Sequence, residues 1–288
     1  MQKKLIALSL CLLALAACKK KEEPAPAADT ATTSAPAPAP APELASKTAA
    51  PQPTVTLAAG APIPAQGVAL WLKADDAQPG KLASWTNSAV AGVTATASKP
   101  EEQPEVMVLK PHNVVRFDGE QNMLMTNVDI SPARMPEATI FAVFNSKTDA
   151  KTPLRKLYGD DNGSYDRAAG LDDRAENHNY TVFTGNGVTG YFDIKPDETY
   201  LTSDVFSSNE FNGWVNGKKV ADKVAAAWGA NPEDALPNMY IGGTGTSYHE
   251  PWQGDMFEII VYGRVLNDQE RMQVEDYLAK KYGVTLAR

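Results

Sequence analysis

The sequence GDMFEIIVYGRVLNDQERMQVEDYLAKKYG, residues 254–283, joins a strand pattern directly to a helix pattern. Residues 255–262 are mostly apolar, β-branched or aromatic, which favours a β-strand. Asn267 is a good helix N-cap, and Glu270 stands three residues later, where it completes a capping box. Gly283 suits the left-handed position that follows a helix. The stretch therefore predicts a strand followed by a helix at the end of the chain.

Short apolar or aromatic runs recur upstream of this stretch, between Gly, Asn and Asp turn signals. The run TIFAVF at residues 139–144 is apolar on both faces and predicts an interior strand. Asn216 and Gly217 predict the type I′ turn of a hairpin. Further strands are predicted at residues 68–72, 114–117, 180–183, 199–206 and 239–241. This pattern predicts an all-β fold, a two-sheet antiparallel jelly-roll sandwich with a C-terminal helix.

Several of these motifs resemble those of one bacterial domain family. The sequence LWLKAD at 70–75, with Trp85 downstream, resembles the opening strand of concanavalin A-like lectin/glucanase (laminin G-like) jelly-roll domains. VRFDG at 115–119 and VNGK at 215–218 resemble their second strand and central hairpin, and residues 254–283 resemble their closing strand and helix. The resemblance implies this fold over residues 67–288. It implies no single activity, because the fold hosts lectins, glycosidases and adhesion modules.

The amino terminus carries an export pattern. Lys3 and Lys4 precede a short apolar run, and small residues precede Cys18, an order typical of a secretory signal. The sequence LAAC at 15–18 resembles the lipobox of bacterial lipoproteins, which implies cleavage before Cys18 and acylation of its thiol and amino group. An ordinary signal peptide is the alternative. The other cysteine, Cys11, lies within the signal, so the predicted mature chain has no disulfide.

Residues 18–66 have the composition of a tether. The run APAPAPAP at 35–42 cannot bury a core and favours an extended, semi-rigid spacer. The predicted organisation is a signal peptide at 1–17, a lipidated Cys18 with a disordered linker at 18–66, and the folded domain at 67–288. By the lipoprotein resemblance, Lys19 implies the outer membrane of the cell envelope and not the inner membrane. The formal net charge is −8 and no Lys/Arg cluster stands out, which argues against nucleic acid as a partner.

The sequence offers little evidence of catalysis. Jelly-roll glucanases place paired carboxylates at alternate positions of a strand, because such residues share a face. Asp255 and Glu258 are three positions apart and are predicted to leave opposite faces, with Glu258 paired to a buried donor or pointing to solvent. His112, His178 and His249 lack the spacing of a zinc helix, and no Gly-x-Ser-x-Gly motif occurs. The sequence therefore predicts that the protein is not an enzyme, with a divergent glycoside hydrolase that uses Glu258 as the alternative.

The segment 158–179 is rich in oxygen-bearing side chains. Calcium takes six to eight oxygen ligands, so this segment is the candidate calcium site. The alternative is a solvated acidic loop in which Arg167 and Arg174 neutralise the carboxylates. The candidate metal ligands are Asp160, Asp161, Asn162, Asp166, Asp172 and Asp173.

Aromatic residues provide the candidate glycan contacts, because sugar rings stack on exposed aromatic faces. The candidates are Tyr165, Tyr180, Tyr248, His249 and Trp252. For Trp252, packing in the core is an equal alternative, because tryptophan is often buried without a ligand. The resulting prediction is a membrane-anchored, non-catalytic surface module that binds a glycan or another envelope component, with calcium as a candidate cofactor. A structural or protein-binding envelope lipoprotein is the alternative.

Overall fold

The computed structural model describes residues 54–147, 152–162, 166–174, 178–185, 187–228, 237–245 and 250–288, with the backbone alone at 188–191. These residues belong to one compact unit, Thr48–Arg288. Four predicted site residues lie outside the described residues: Cys18, Tyr165, Tyr248 and His249. The predicted signal peptide and most of the predicted linker lie outside them as well.

The described residues form short β-strands, two 3₁₀ turns (Ala74–Asp76 and Pro100–Glu102) and the helix α1 (Asp268–Tyr282). The strands are β1 Val55–Thr56, β2 Gln66–Lys73, β3 Gly80–Lys81, β4 Ser84–Thr86, β5 Thr94–Thr96, β6 Glu105–Leu109, β7 His112–Asp118, β8 Leu124–Thr126, β9 Ala138–Phe144, β10 Leu154–Gly159, β11 Ala168–Asp172, β12 Asn179–Phe183, β13 Val188–Asp193, β14 Tyr200–Phe206, β15 Glu210–Val215, β16 Lys218–Ala225, β17 Tyr240–Ile241 and β18 Gln253–Tyr262.

The strands pair antiparallel in two sheets, which confirms the predicted two-sheet sandwich. The larger sheet has the order β16-β15-β14-β9-β18-β7-β6-β3, and β2 pairs with β18 while β1 pairs with β2. The smaller sheet has the order β13-β12-β11-β10-β17-β8-β5-β4. The long strand β18 pairs with β9 along one side, and with β7 and then β2 along the other.

Strand β9 shows why a fully apolar run became an interior strand. Ile140 and Phe144 face the core between the two sheets, whereas Phe141 and Val143 face a second core under α1. Because residues two apart share a face of a strand, both faces of β9 are buried. The helix contributes Val274 and Leu278 to that second core. It therefore covers the outer face of the larger sheet, as the sequence predicted.

The helix begins and ends at the predicted residues. The Asn267 side chain accepts a hydrogen bond from the Glu270 amide at 3.0 Å, and the Glu270 carboxylate accepts one from the Asn267 amide at 3.1 Å. Gly283 follows the helix with a φ of 69°. In the described part of the chain, no helix has both the length and the apolar character needed to cross a membrane.

Two boundaries differ from the prediction. The predicted acidic loop at 158–179 contains strand β11, which pairs with β10 and β12. Its neighbour β10 carries Arg155 and Lys156, each only 1% exposed, and charged residues of this kind normally indicate a loop. The sheet also begins before residue 67, because Val55 pairs with Val68.

Candidate functional site

Lys156 lies at the centre of the predicted acidic region. Its Nζ is 3.1 Å from Asp161 Oδ2 and 3.2 Å from Glu250 Oε2, and it also lies over the ring of Phe183. Burial lowers the pKa of Lys156, while the two carboxylates act in the opposite direction. The lysine thus joins the acidic segment to the segment that precedes Trp252, two regions that the sequence analysis selected separately.

Sequence reasoning missed Lys156 and Glu250. The only signal was the adjacent pair of cations, Arg155 and Lys156, between Leu154 and Leu157 and directly before the acidic segment. A cation in a buried strand needs a counter-charge, and a neighbouring acidic run can supply one. Nothing in the local sequence identified Glu250 as the second partner, because it lies 94 residues away in the chain.

Other predicted metal ligands also contact cations of the protein. Arg174 donates two hydrogen bonds to Asp172, at 2.8 and 2.5 Å, and these lower the pKa of Asp172. This is the neutralisation that the sequence analysis considered for Arg174. Asp173 pairs with Arg155. The carboxylates of Asp161, Asp172 and Asp173 are therefore each held by a separate cation.

Asp160 behaves differently because it is completely buried. Its Oδ1 accepts a hydrogen bond from the Arg167 amide at 2.8 Å. Burial raises the pKa of Asp160 to about 8, so the neutral form prevails at pH 7. The Arg167 guanidinium does not neutralise Asp160 through a direct ion pair; it donates hydrogen bonds to the carbonyl groups of Ile130, Met135 and Pro136.

These contacts decide whether the predicted ligands are available to a calcium ion. The remaining predicted ligands, Asn162 and Asp166, meet through a hydrogen bond of 2.6 Å from the Asn162 amide to the Asp166 carboxylate. Among the described residues, no group of three or more His, Cys, Asp or Glu side chains is arranged to hold a metal ion. The donor set does not fit a calcium ion, because three of its carboxylates already pair with Lys or Arg. Calcium binding stays a prediction.

Two of the predicted sugar-stacking residues belong to the core. Tyr180 is 1% exposed and stacks on Phe144, with 5.7 Å between ring centroids. Trp252 is fully buried and packs edge-on against the same ring, at 5.3 Å. The structure therefore contradicts the proposed stacking roles of Tyr180 and Trp252, because neither ring has a free face. For Trp252, the packing alternative is the observed one.

The predicted environment of Glu258 is confirmed. Its buried carboxylate accepts hydrogen bonds from Trp71 Nε1 at 2.5 Å, Tyr282 OH at 2.7 Å and Lys281 Nζ at 2.8 Å, and from Tyr277 OH at 3.2 Å. Three of these donors belong to α1. Glu258 therefore joins the helix to the larger sheet and presents no carboxyl group to a substrate.

The prediction that Asp255 and Glu258 leave opposite faces is wrong. The register between β18 and β9 shifts between Met256 and Glu258. As a result Met256 and Ile259, also three positions apart, both face the core between the sheets. Asp255 and Glu258 share the outer face. Asp255 is fully buried and accepts two hydrogen bonds from Arg116, at 2.7 and 3.0 Å.

A cleft of about 490 Å³ opens next to the Lys156 cluster, and Glu250 lines it. Among the described residues, its carboxyl groups come from Glu101, Glu102, Glu120 and Glu250, its amides from Gln121 and Asn122, and its lining cation is Lys99. The glycine-rich segment 242–245 lines the same cleft. A Cβ at Gly242 would lie 2.1 Å from the Phe117 ring, so close packing requires glycine here. We call this space the glutamate cleft.

No protein-family model and no curated protein matches the chain. Solved structures do match. Trypanosoma rangeli sialidase in complex with 2,3-difluoro-KDN has a TM-score of 0.54 and 15% identity, over 80% of this chain and 36% of that one. The same sialidase in complex with the inhibitor DANA has a TM-score of 0.53 and 18% identity, over 74% of this chain and 33% of that one. A third match is domain 4 of AbnA, a GH43 extracellular arabinanase from Geobacillus stearothermophilus, in complex with arabinotriose. It has a TM-score of 0.49 and 12% identity, over 73% of this chain and 97% of that one.

At these identities the likeness shows a shared fold, and it supports the β-sandwich part of the family resemblance. This chain spans about a third of the length of the sialidases that it matches. The prediction that the protein is not an enzyme is contradicted by this comparison, because the similar structures are those of sialidases.

Proposed function

We propose that this protein binds a glycan in the glutamate cleft and is held at the cell envelope by acylated Cys18. The observation that carries the proposal is the lining of the cleft, where carboxylates, amides and glycine backbone surround a space of about 490 Å³. Carboxylates and amides form directional hydrogen bonds with sugar hydroxyl groups, and convergent polar groups in a concave site are typical of ligand binding. The glycan-active proteins with the same fold add support.

The charge of the cleft favours a neutral glycan. Its described lining carries four glutamates and one lysine, so an anionic sugar would meet an excess of like charge. The preferred ligand is therefore an uncharged oligosaccharide, in contrast to the sialic acid bound by the sialidase. Attachment through Cys18 would leave the domain at the end of a Pro/Ala-rich spacer, within reach of glycans of the envelope.

A second candidate function is glycan hydrolysis in the same cleft. Glycosidases need two carboxyl groups on either side of the scissile bond, and the cleft offers four. Glu250 differs from the other three because a buried lysine lies 3.2 Å from its carboxylate. Release of reducing sugar from a neutral polysaccharide, lost in Glu250→Gln, would support hydrolysis over binding alone.

A glycan array of neutral and sialylated oligosaccharides tests the proposal on the purified mature protein. We expect saturable binding to neutral glycans and about tenfold weaker binding in Gln121→Ala, because an exposed cleft amide is lost. Gln269→Ala is the matched control, since Gln269 is an exposed glutamine on α1. An array without saturable binding, or an equal loss in the control, would contradict the proposal.

Calcium binding is tested by thermal unfolding of the same purified mature protein. A ligand that binds only the folded state raises its stability by RT ln(1 + [L]/Kd), so a calcium site would raise the melting temperature relative to chelator. Equal melting temperatures with millimolar calcium and with chelator would eliminate calcium as a cofactor. Glycan binding measured under both conditions shows whether any calcium effect concerns the ligand.

A further inference from the structure

Ser146, His178 and Asp173 form a chain of hydrogen bonds, and none of them lines the glutamate cleft. Ser146 Oγ lies 2.6 Å from His178 Nε2, and His178 Nδ1 lies 3.2 Å from Asp173 Oδ2. These distances place a hydroxyl, an imidazole and a carboxylate in the order required of a nucleophile, a general base and its orienting group. The arrangement is recognised by geometry and does not depend on sequence motifs.

The topology brings these residues together. Ser146 follows β9 of the larger sheet, whereas Asp173 follows β11 and His178 precedes β12 of the smaller sheet. Backbone hydrogen bonds hold both Ser146 and His178 in place. The Asp197 amide donates to the Ser146 carbonyl and the Ile194 amide donates to the His178 carbonyl, each at 2.8 Å. Sequence analysis missed the group because the serine lies 32 residues from the histidine and no nucleophile motif surrounds it.

His178 Nδ1 lies between a donor, Arg155, and an acceptor, Asp173. Its Nη2 pairs with Asp173 and lies 3.3 Å from His178 Nδ1. A guanidinium only donates, so it cannot accept the proton of Nδ1, whereas the Asp173 carboxylate can. The triad requires the tautomer in which Nδ1–H donates to Asp173 Oδ2, the carboxylate oxygen that also accepts from Arg155 Nη2. This tautomer leaves Nε2 unprotonated and facing the Ser146 hydroxyl, as a general base requires.

The surroundings of His178 favour its neutral form. Burial lowers the pKa of His178, Arg155 acts in the same direction, and Asp173 and Asp193 oppose them. The side chain is 15% exposed, so the imidazole lies at the edge of solvent. The histidine is therefore able to accept a proton near neutral pH.

An unpartnered donor lies next to this group. Arg155 is 1% exposed, and its Nη1 donates to the Lys147 carbonyl at 3.0 Å. Its Nε–H is buried and has no hydrogen-bond acceptor in the part of the chain that the structure describes. A buried donor without a partner costs free energy unless a ligand oxygen accepts its hydrogen bond. A cation in this position can also stabilise negative charge that develops on a reacting carbonyl oxygen.

We propose that Ser146, His178 and Asp173 form the catalytic triad of an esterase that cleaves short-chain acyl esters. In the acylation step, Ser146 Oγ bonds to the ester carbonyl carbon and its proton moves to His178 Nε2. The bond from that carbon to the alcohol oxygen breaks, and the alcohol leaves with the proton from Nε2. Water then attacks the acyl-serine and gives one proton to Nε2, the acid departs, and Ser146 regains its proton.

The burial of Ser146 limits the acyl group. Ser146 is fully buried and His178 is the partly exposed member of the pair, so a bulky acyl chain has no room beside the hydroxyl. Acetyl, a small acyl group, is therefore the one that we propose. Asp173 acts as a positioning residue, because it touches His178 and not the ester.

The experiment uses the purified mature protein, a small methyl-substituted fluorophosphonate probe that matches the acetyl group in size, and p-nitrophenyl acetate. We expect a single adduct on Ser146, identified by peptide mass mapping, and ester hydrolysis that falls at least about 10³-fold in Ser146→Ala and in His178→Gln. Ser203→Ala is the control, because Ser203 is an equally buried serine that hydrogen-bonds Glu275 on α1. The rate should also rise with pH to a plateau, with its midpoint below 6.5, the ordinary pKa of histidine.

Two results would overturn the proposal: no probe adduct on Ser146 of the wild-type protein, or hydrolysis that survives in a folded Ser146→Ala variant. The adduct needs no substitution, so it decides the matter even if the variants do not fold. The outcome is independent of glycan binding, which Ser146→Ala should leave unchanged.

Discussion

Asp204 lies in the core between the two sheets, where two tyrosines donate to the same carboxylate oxygen. Tyr158 OH is 2.6 Å and Tyr180 OH is 2.5 Å from Asp204 Oδ2. The tyrosines belong to the smaller sheet and Asp204 to the larger one, so this single carboxyl group links the two layers. Burial raises the pKa of Asp204 to about 7 despite both hydrogen bonds.

The pKa of Asp204 predicts a change in stability with pH. Between about pH 4 and pH 7 the folded protein keeps this proton while the unfolded chain releases it, so this group makes the folded state less stable as pH rises. Asp204→Asn removes that loss and still offers an acceptor to both tyrosines. We therefore expect the variant to gain stability relative to wild type across this range, by up to ~4 kcal/mol at pH 7.

Chemical unfolding at several pH values measures this difference. Asp222→Asn is the matched control, because the Asp222 side chain is 66% exposed and should leave the pH dependence unchanged. If wild type and Asp204→Asn change in parallel between pH 4 and pH 7, the raised pKa of Asp204 is wrong.

Individual polar residues were the hardest part of the site to predict. Asp173 was selected as a calcium ligand and His178 was set aside, although the two meet at 3.2 Å. A side chain's chemistry depends on partners that arrive from other strands, and Ser146 comes from the opposite sheet. The sequence carries no local sign of such a meeting, because each residue by itself is ordinary.

At the level of elements, the contact between α1 and the larger sheet depends on Glu258. Trp71 reaches its carboxylate from β2, while Tyr277, Lys281 and Tyr282 reach it from the helix. The apolar residues Val274 and Leu278 supply the packing around it. The polar contacts thus fix the position of a helix whose apolar face alone would permit sliding.

We expect Glu258→Gln to destabilise the domain by about 1–3 kcal/mol, because an amide nitrogen replaces an acceptor oxygen and Lys281 loses its buried partner. The melting temperature should fall by about 2–4 °C for each kcal/mol. Glu137→Gln is the control, since Glu137 is exposed. A melting temperature equal to that of wild type would show that the apolar contacts alone hold the helix.

Elements with local signals were predicted well. The capping box, the C-terminal glycine and the helical spacing all lie within the helix segment, and the apolar run of β9 is continuous. Strands β10 and β11 were missed because Arg155 and Lys156 interrupt the apolar pattern. Their burial depends on counter-charges at Asp173, Asp161 and Glu250, and only the folded chain brings these together.

At the scale of the whole molecule, attachment through Cys18 remains a prediction. The wild-type protein should partition into the detergent phase and show fatty acyl groups on residue 18 by mass spectrometry. Cys18→Ser should move the protein to the aqueous or uncleaved fraction, because serine has no thiol to acylate. Lys19→Ala, next to the anchor, is the control and should stay in the detergent phase. An unmodified Cys18 in the wild-type protein would contradict the anchor.

The position of β18 has a consequence for how the chain matures. This strand lies between β9 on one side and β7 and β2 on the other, although all three of these strands precede it in the chain. The sheet that it completes therefore stays split until about residue 262 has left the ribosome. If the chain is exported, it reaches the secretion channel before its long-range pairings can close. Late closure of this kind would keep an exported polypeptide unfolded until it has crossed the membrane.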